Sequence, residues 1–161
     1  MGAHAVGCAA VRDEAPAQGR AAVIAVDTGI FVALADRSDV WHRTAMRRLD
    51  TLDEGWVTTW PVLTEASHLL MRRLGVDPVL KLLQDVAEGG LTLWTPPPQS
   101  LARLPALMRK YAKLPLDLAD ASLVLLAEHL GHGRILSTDR RDFGAYRWKS
   151  RKPFNNLMEL S

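Results

Sequence analysis

Apolar residues fall in short unbroken runs separated by longer stretches with helical spacing. The run Ala22-Val23-Ile24-Ala25-Val26 has no polar alternation, which suits a strand buried on both faces. It ends on Asp27. Gly55–Thr59, Leu91–Trp94 and the stretch Arg134–Asp139 predict three more strands, the last ending on an acid. Thr28–Ala35 reads as a short helix, and 40–52 as a second, with Ser38 and Asp39 as N-cap candidates. Pro61 suits a first helical position, and the helix over 62–74 stops at Gly75. Asp77-Pro78 opens another helix, closed by Gly89-Gly90. Pro96-Pro97-Pro98 reads as a rigid turn. A helix over 100–113 accommodates Pro105 only by a kink or a late start. From Leu116 an apolar helix with acids in its first turn runs to Gly131, then a Gly-His-Gly break leads to the last strand. Asp142 and Phe143 read as a short turn, 146–148 as an edge strand, and the tail as polar.

Strands alternating with helices predict an α/β fold: a central, mainly parallel sheet flanked by helices, with a helical hairpin beside it. In such a sheet the strand ends and helix starts share one edge, where ligands bind. Residues 1–21 are Ala/Gly-rich without periodicity and predict a flexible N-terminal extension, or a misassigned start, ahead of one domain over 22–161.

The chain has 161 residues, 48% of them hydrophobic, enough for a buried core. Its net charge of +2 means that polyanion binding must come from local clustering. The single cysteine, Cys8, excludes an internal disulfide and a cysteine-based zinc site. No apolar run reaches the roughly 18 residues of a membrane span. Arg12, Asp13 and Glu14 interrupt any signal-peptide pattern. The expectation is a cytoplasmic protein.

Four acids fall at equivalent places. Asp27 ends the first strand, Glu65 lies early in the helix after the second, Asp120 lies in the first turn of the apolar helix, and Asp139 ends the last strand. Asp117 stands one turn before Asp120. Clustered carboxylates raise one another's pKa unless a cation neutralises them. Oxygen-only ligands select Mg²⁺ or Mn²⁺ over zinc, and such an ion suits attack of water on a phosphodiester. Each acid alone also has a plainer reading. Asp117 and Asp120 would serve as helix caps, Glu65 as a solvated helical acid, Asp139 as a turn or cap residue before Arg140-Arg141. Their joint order carries the argument.

Val26-Asp27-Thr28-Gly29, Leu63-Thr64-Glu65-Ala66, Leu116-Asp117-Leu118-Ala119-Asp120-Ala121-Ser122-Leu123 and Leu136-Ser137-Thr138-Asp139-Arg140-Arg141-Asp142-Phe143 resemble the motifs of PIN-domain ribonucleases, within them the VapC toxins of bacterial toxin–antitoxin pairs. The resemblance implies a Mg²⁺- or Mn²⁺-dependent endoribonuclease that forms a homodimer and is held inactive by a cognate antitoxin. By motif, Asp27 and Asp120 would bind metal directly, and Glu65 and Asp139 through water or at a second ion. Thr28, Ser137 and Thr138 would support the site. Asp117 matches an acid that only part of the family carries.

Arg140 and Arg141 adjoin Asp139 and are candidates for RNA contact. The other basic groups, among them 109–113 and 147–152, read as solvated faces, and His42 and His68 as ordinary histidines. Trp41, Trp56, Trp60 and Trp94 read as core or interface. The helices over 40–52 and 62–74 offer either an apolar groove to a partner helix or a homodimer face. Two other classes compete: a DNA-directed or structure-specific nuclease of related fold, and a non-catalytic RNA-binding module. A phosphatase is disfavoured, because Asp27-Thr28-Gly29 lacks a second Asp and no Gly-Lys-Ser/Thr loop is present.

Overall fold

The computed structural model describes residues 23–114 and 116–158; the extension expected over 1–21, with Cys8, lies outside them. β1 (Val23–Val26) passes through Asp27 into α1 (Thr28–Ala35), and α2 (His42–Thr51) returns to β2 (Gly55–Thr59). α3 (Trp60–Leu74) and α4 (Asp77–Ala87) form a hairpin before β3 (Leu91–Trp94). The short helices α5 (Pro98–Leu101) and α6 (Leu104–Lys110) lead to α7 (Leu118–Leu130) and β4 (Arg134–Leu136). α8 (Arg140–Ala145), β5 (Arg147–Trp148), β6 (Lys152–Pro153) and β7 (Asn155–Asn156) follow.

The sheet has five strands in the order β3-β2-β1-β4-β7, every neighbouring pair parallel. The chain steps outward from β1 to β3 on one side, then crosses to β4 on the other. The order therefore reverses between β1 and β4, and the crevice beyond their ends is the ligand position of an open parallel sheet. Asp27 and Asp139 follow those two strands.

α7 explains why its sequence is apolar almost all round. Eight of its residues, among them Leu123, Val124 and Leu126, are buried, and it packs on α3, α6, β2 and β5. Burying each large aliphatic side chain contributes roughly 1.5–3 kcal/mol. Gly131 ends the helix in the left-handed conformation (φ 78°), which glycine adopts without a Cβ penalty.

Several boundaries differ from the sequence reading. The helix over 100–113 is two pieces, and Pro105 sits in the first turn of α6, where its missing N–H forfeits no bond. Pro98 opens α5 instead of completing a turn. Asp142 and Phe143 belong to α8, not to a turn, because Asp139 caps that helix. Trp148 is not at the edge of the main sheet. β5 and β6 make a separate antiparallel ribbon, and Asn155–Asn156 forms the edge beside β4. Neither Ser38 nor Asp39 caps α2; Asp39 Oδ1 accepts from Trp41 N (2.9 Å) in the turn before it. The apolar groove, about 730 Å³, lies among α1, α2, α4 and the starts of β2 and β3, lined by Phe31, Leu34, Met46, Leu49, Leu82 and Leu91. α3 contributes only Leu70 to it. No helix among the described residues is long and apolar enough to cross a membrane.

Candidate active site

Asp27 is the hub of the site. It is the N-cap of α1, extended in backbone, and its carboxylate turns back over the helix start. Oδ1 accepts from Thr28 N (2.7 Å) and Oδ2 from Ser137 Oγ (2.7 Å). Ser137 Oγ also accepts from Asp139 N (2.9 Å), so one hydroxyl joins the exits of β1 and β4. Asn156 clamps Ser137 in turn. Its Oδ1 accepts from Ser137 N (3.2 Å) and its Nδ2 donates to Ser137 O (2.9 Å).

Glu65 is brought in from α3. Its Oε2 accepts from Thr28 Oγ1 (2.7 Å). Thr59, at the end of β2, caps α3 and is tied to α7. Ser122 Oγ donates to Ala119 O (2.6 Å), which leaves it to accept from Thr59 Oγ1 (2.6 Å). This buried pair fixes the helix carrying Glu65 against the helix carrying Asp120.

Asp117 and Asp120 divide the roles left open by the sequence. Asp117 is the exposed N-cap of α7, its Oδ1 accepting from Asp120 N (2.9 Å). The half-buried Asp120 turns its own carboxylate inward, and Oδ2 accepts from Tyr146 Oη (3.1 Å). Asp139 is exposed and caps α8 through Oδ1, which accepts from Asp142 N (2.9 Å). Its plainer reading as a cap is thus also realised.

Thr138 does not parallel Ser137. It packs so closely on Gly29 that a Cβ there would stand 1.9 Å from Thr138 Oγ1. Only glycine fits beside Thr28 for this reason.

The electrostatics follow from this packing. Burial raises the Asp27 pKa to about 6; Ser137 and Thr28 oppose the rise, while Glu65 and Asp139 add to it. Burial, then the charges of Asp117 and Asp27, raise Asp120 to about 7, against the pull of the Tyr146 hydroxyl. Burial and Asp120 push the Tyr146 phenol upward, so it stays a donor. No base is among the strongest influences on either carboxylate. The acids therefore gather around Asp27 with little compensation beyond hydrogen bonds and helix N-termini.

Among the described residues, no three Asp, Glu, His or Cys side chains are grouped closely enough to enclose an ion by themselves. The donor set consists of oxygens, and each Asp27 oxygen accepts one hydrogen bond and keeps a further lone pair. That fits a hard cation that takes one or two carboxylates and keeps several waters, not one held in a closed protein cage.

Of the remaining candidates, Arg140 and Arg141 are exposed at the start of α8, and Arg141 Nε lies 3.7 Å from Asp142 Oδ1. His42 Nδ1 bonds to Ala33 O (2.7 Å), tying α2 to α1, and His68 is exposed. Trp41, Trp56 and Trp94 pack against the core, whereas Trp60 is exposed. Sequence reasoning missed Tyr146 and Asn156, the groups that hold Asp120 and Ser137. Neither stands in a motif, and no local spacing announces a contact reaching back 26 or 19 residues.

Over 122 residues the chain is 29% identical to Ribonuclease VapC26 of Mycobacterium tuberculosis, covering 76% of this chain and 90% of that protein. Its fold resembles the crystal structure of Mycobacterium tuberculosis VapC20, a Sarcin-Ricin loop cleaving toxin, with a TM-score of 0.68 at 19% identity over 74% of this chain and 92% of that one. The model of the PIN domain matches residues 24–149. That match runs from β1 through β5 and takes in all the candidate acids, and the chain belongs to the PIN domain family.

Proposed function

We propose that the protein is a divalent-metal-dependent endoribonuclease, the toxin of a type II toxin–antitoxin pair, acting in the cytoplasm. The observation that carries the reading is Asp27. The residue is 7% exposed, and the neighbouring charges that act on its carboxylate most strongly are those of other acids. A buried anion so placed calls for an external cation. The likeness to a curated ribonuclease over most of both chains supports RNA as the substrate.

In this reading Asp27 and Asp120 hold Mg²⁺ or Mn²⁺ directly, and Glu65 and Asp139 act through water. When bound, the ion lowers the pKa of a coordinated water and stabilises charge on the phosphate. Ser137 and Tyr146 each engage one carboxylate oxygen, fixing the orientation of Asp27 and Asp120. Thr28 positions Glu65. Arg140 and Arg141, exposed beside Asp139, meet the substrate backbone. The apolar groove receives the cognate antitoxin. The exposed apolar residues of α3 and α4, Met71, Leu74, Leu80 and Leu83, serve a homodimer contact.

Purified protein incubated with total RNA tests this. Discrete cleavage is expected with Mg²⁺ or Mn²⁺, and none with EDTA. Fragments that persist in EDTA, or intact RNA under both metals, would count against it. Cleavage of DNA in preference to RNA would favour the DNA-directed alternative.

A further inference from the structure

Segments 103–113 and 144–158 carry eight of the chain's twenty Lys and Arg residues and no Asp or Glu. The rest carries twelve bases against eighteen acids. A net charge of +2 thus conceals one strongly basic region on an otherwise acidic molecule.

The fold joins the two segments. Arg147 N donates to Tyr111 Oη (2.9 Å), and Lys110 Nζ donates to Ser150 O (3.3 Å). The Tyr111 and Tyr146 rings meet edge to face at 5.2 Å. Arg103 is held by Glu128. Arg109, Lys110, Lys113, Lys149, Arg151 and Lys152 are all exposed.

The turn between β5 and β6 is strained. Lys149 (φ 43°) and Ser150 (φ 66°) are the only non-glycine residues with positive φ among the described residues. L-residues seldom adopt that region, and such strain concentrates at functional segments. Lys149 N is anchored to Glu128 Oε1 (3.0 Å). The ammoniums of Lys149 and Lys152 lie 5.7 and 5.0 Å from the centroid of the Trp148 ring. The turn therefore gathers two ammoniums around one indole ring and carries no acid within its own segment, an arrangement that suits a polyanion.

Its position is set by α7. β5 begins one residue after Tyr146, whose hydroxyl holds Asp120. Glu128, which anchors the turn, lies two helical turns beyond Asp120, about 12 Å along the axis at 1.5 Å per residue.

We propose that the β5–β6 hairpin, with the end of α6, grips the RNA backbone on one side of the cut site. This rests on the ribonuclease reading above. A fluorescein-labelled 20-nucleotide RNA stem–loop, titrated in EDTA so that it is not cut, provides the test. The K149Q/R151Q/K152Q variant is expected to bind at least about tenfold more weakly at 0.1 M salt. Its slope of log affinity against log salt should fall by about 2, near 0.7 per lost phosphate contact. Lys149→Gly, which relaxes the left-handed position, should lower the slope by about 0.7 without lowering Tm. Neutralising Arg43, Arg47 and Arg72 in α2 and α3 is the control. Unchanged binding in the hairpin variants, or an equal loss in the control, overturns the proposal. If hairpin-dependent binding holds but neither Mg²⁺ nor Mn²⁺ brings cleavage, the ribonuclease reading fails and the hairpin remains an RNA-binding surface with no cut site beside it. If wild-type protein cuts RNA and the hairpin variants bind as it does, only the hairpin assignment fails.

Discussion

Asp27→Asn should abolish RNA cleavage, by at least about a thousandfold, while the metal-free protein melts no lower than the parent. The loss of activity follows from removing one of two carboxylates assigned to the ion, whose charge stabilisation is worth several kcal/mol. The retained fold follows from local bonding. An Asn oxygen still accepts from Thr28 N, and its amide can donate to Ser137 Oγ, which has a lone pair to spare. The buried charge itself opposes folding at neutral pH. A pKa of about 6 against an ordinary 3.8 corresponds to about 3 kcal/mol, and Asn recovers part of that. Cleavage assays beside thermal melts in EDTA read both halves. An active variant would refute the assignment of Asp27. An inactive variant that has lost several degrees would show Asp27 to be a structural cap.

Without metal, the protein should be more stable at pH 5 than at pH 8. A carboxyl group with a raised pKa binds more protons when folded than when unfolded across the interval between the two values. Stability therefore falls as pH rises through that interval. For Asp27 the interval runs from 3.8 to about 6, and for Asp120 from 3.8 to about 7. From pH 5 to pH 8 only the upper part of the Asp27 interval is crossed, so Asp27 contributes at most about 1.5 kcal/mol; the contribution of Asp120, nearer solvent, is reduced by screening. Millimolar Mg²⁺ should largely erase the decline, because a bound cation favours the ionised carboxylates. Melting temperatures across this range, in EDTA and in Mg²⁺, provide the measurement. A flat or rising profile in EDTA would show that the carboxylates are compensated within the protein.

What the sequence disclosed depended on how far each interaction reaches. Strands β1 to β4 and the helices α3, α4 and α7 are legible, because unbroken apolar runs, Pro61, Gly75 and Gly131 act within a few residues. The convergence of the acids on one edge followed from parallel strands. What was not legible depended on contacts between distant segments. Asp120 reads as a site acid by its motif, but only Tyr146, which donates to its carboxylate, shows what orients it. Thr138 reads as a partner of Ser137 until its packing on Gly29 appears. The basic groups 109–113 and 147–152 read as separate solvated faces, and only Tyr111, Lys110 and Ser150 bring them together. β7 was missed because Asn155–Asn156 has no apolar signature; it pairs with β4 while Asn156 clamps Ser137.

The central claim is that a divalent ion belongs beside Asp27. Anomalous diffraction from Mn²⁺-soaked crystals locates such an ion directly. The expected peak lies about 2 Å from one oxygen each of Asp27 and Asp120, with Glu65 or Asp139 reached through water. A peak elsewhere, or none at a Mn²⁺ concentration that supports cleavage, would contradict the account.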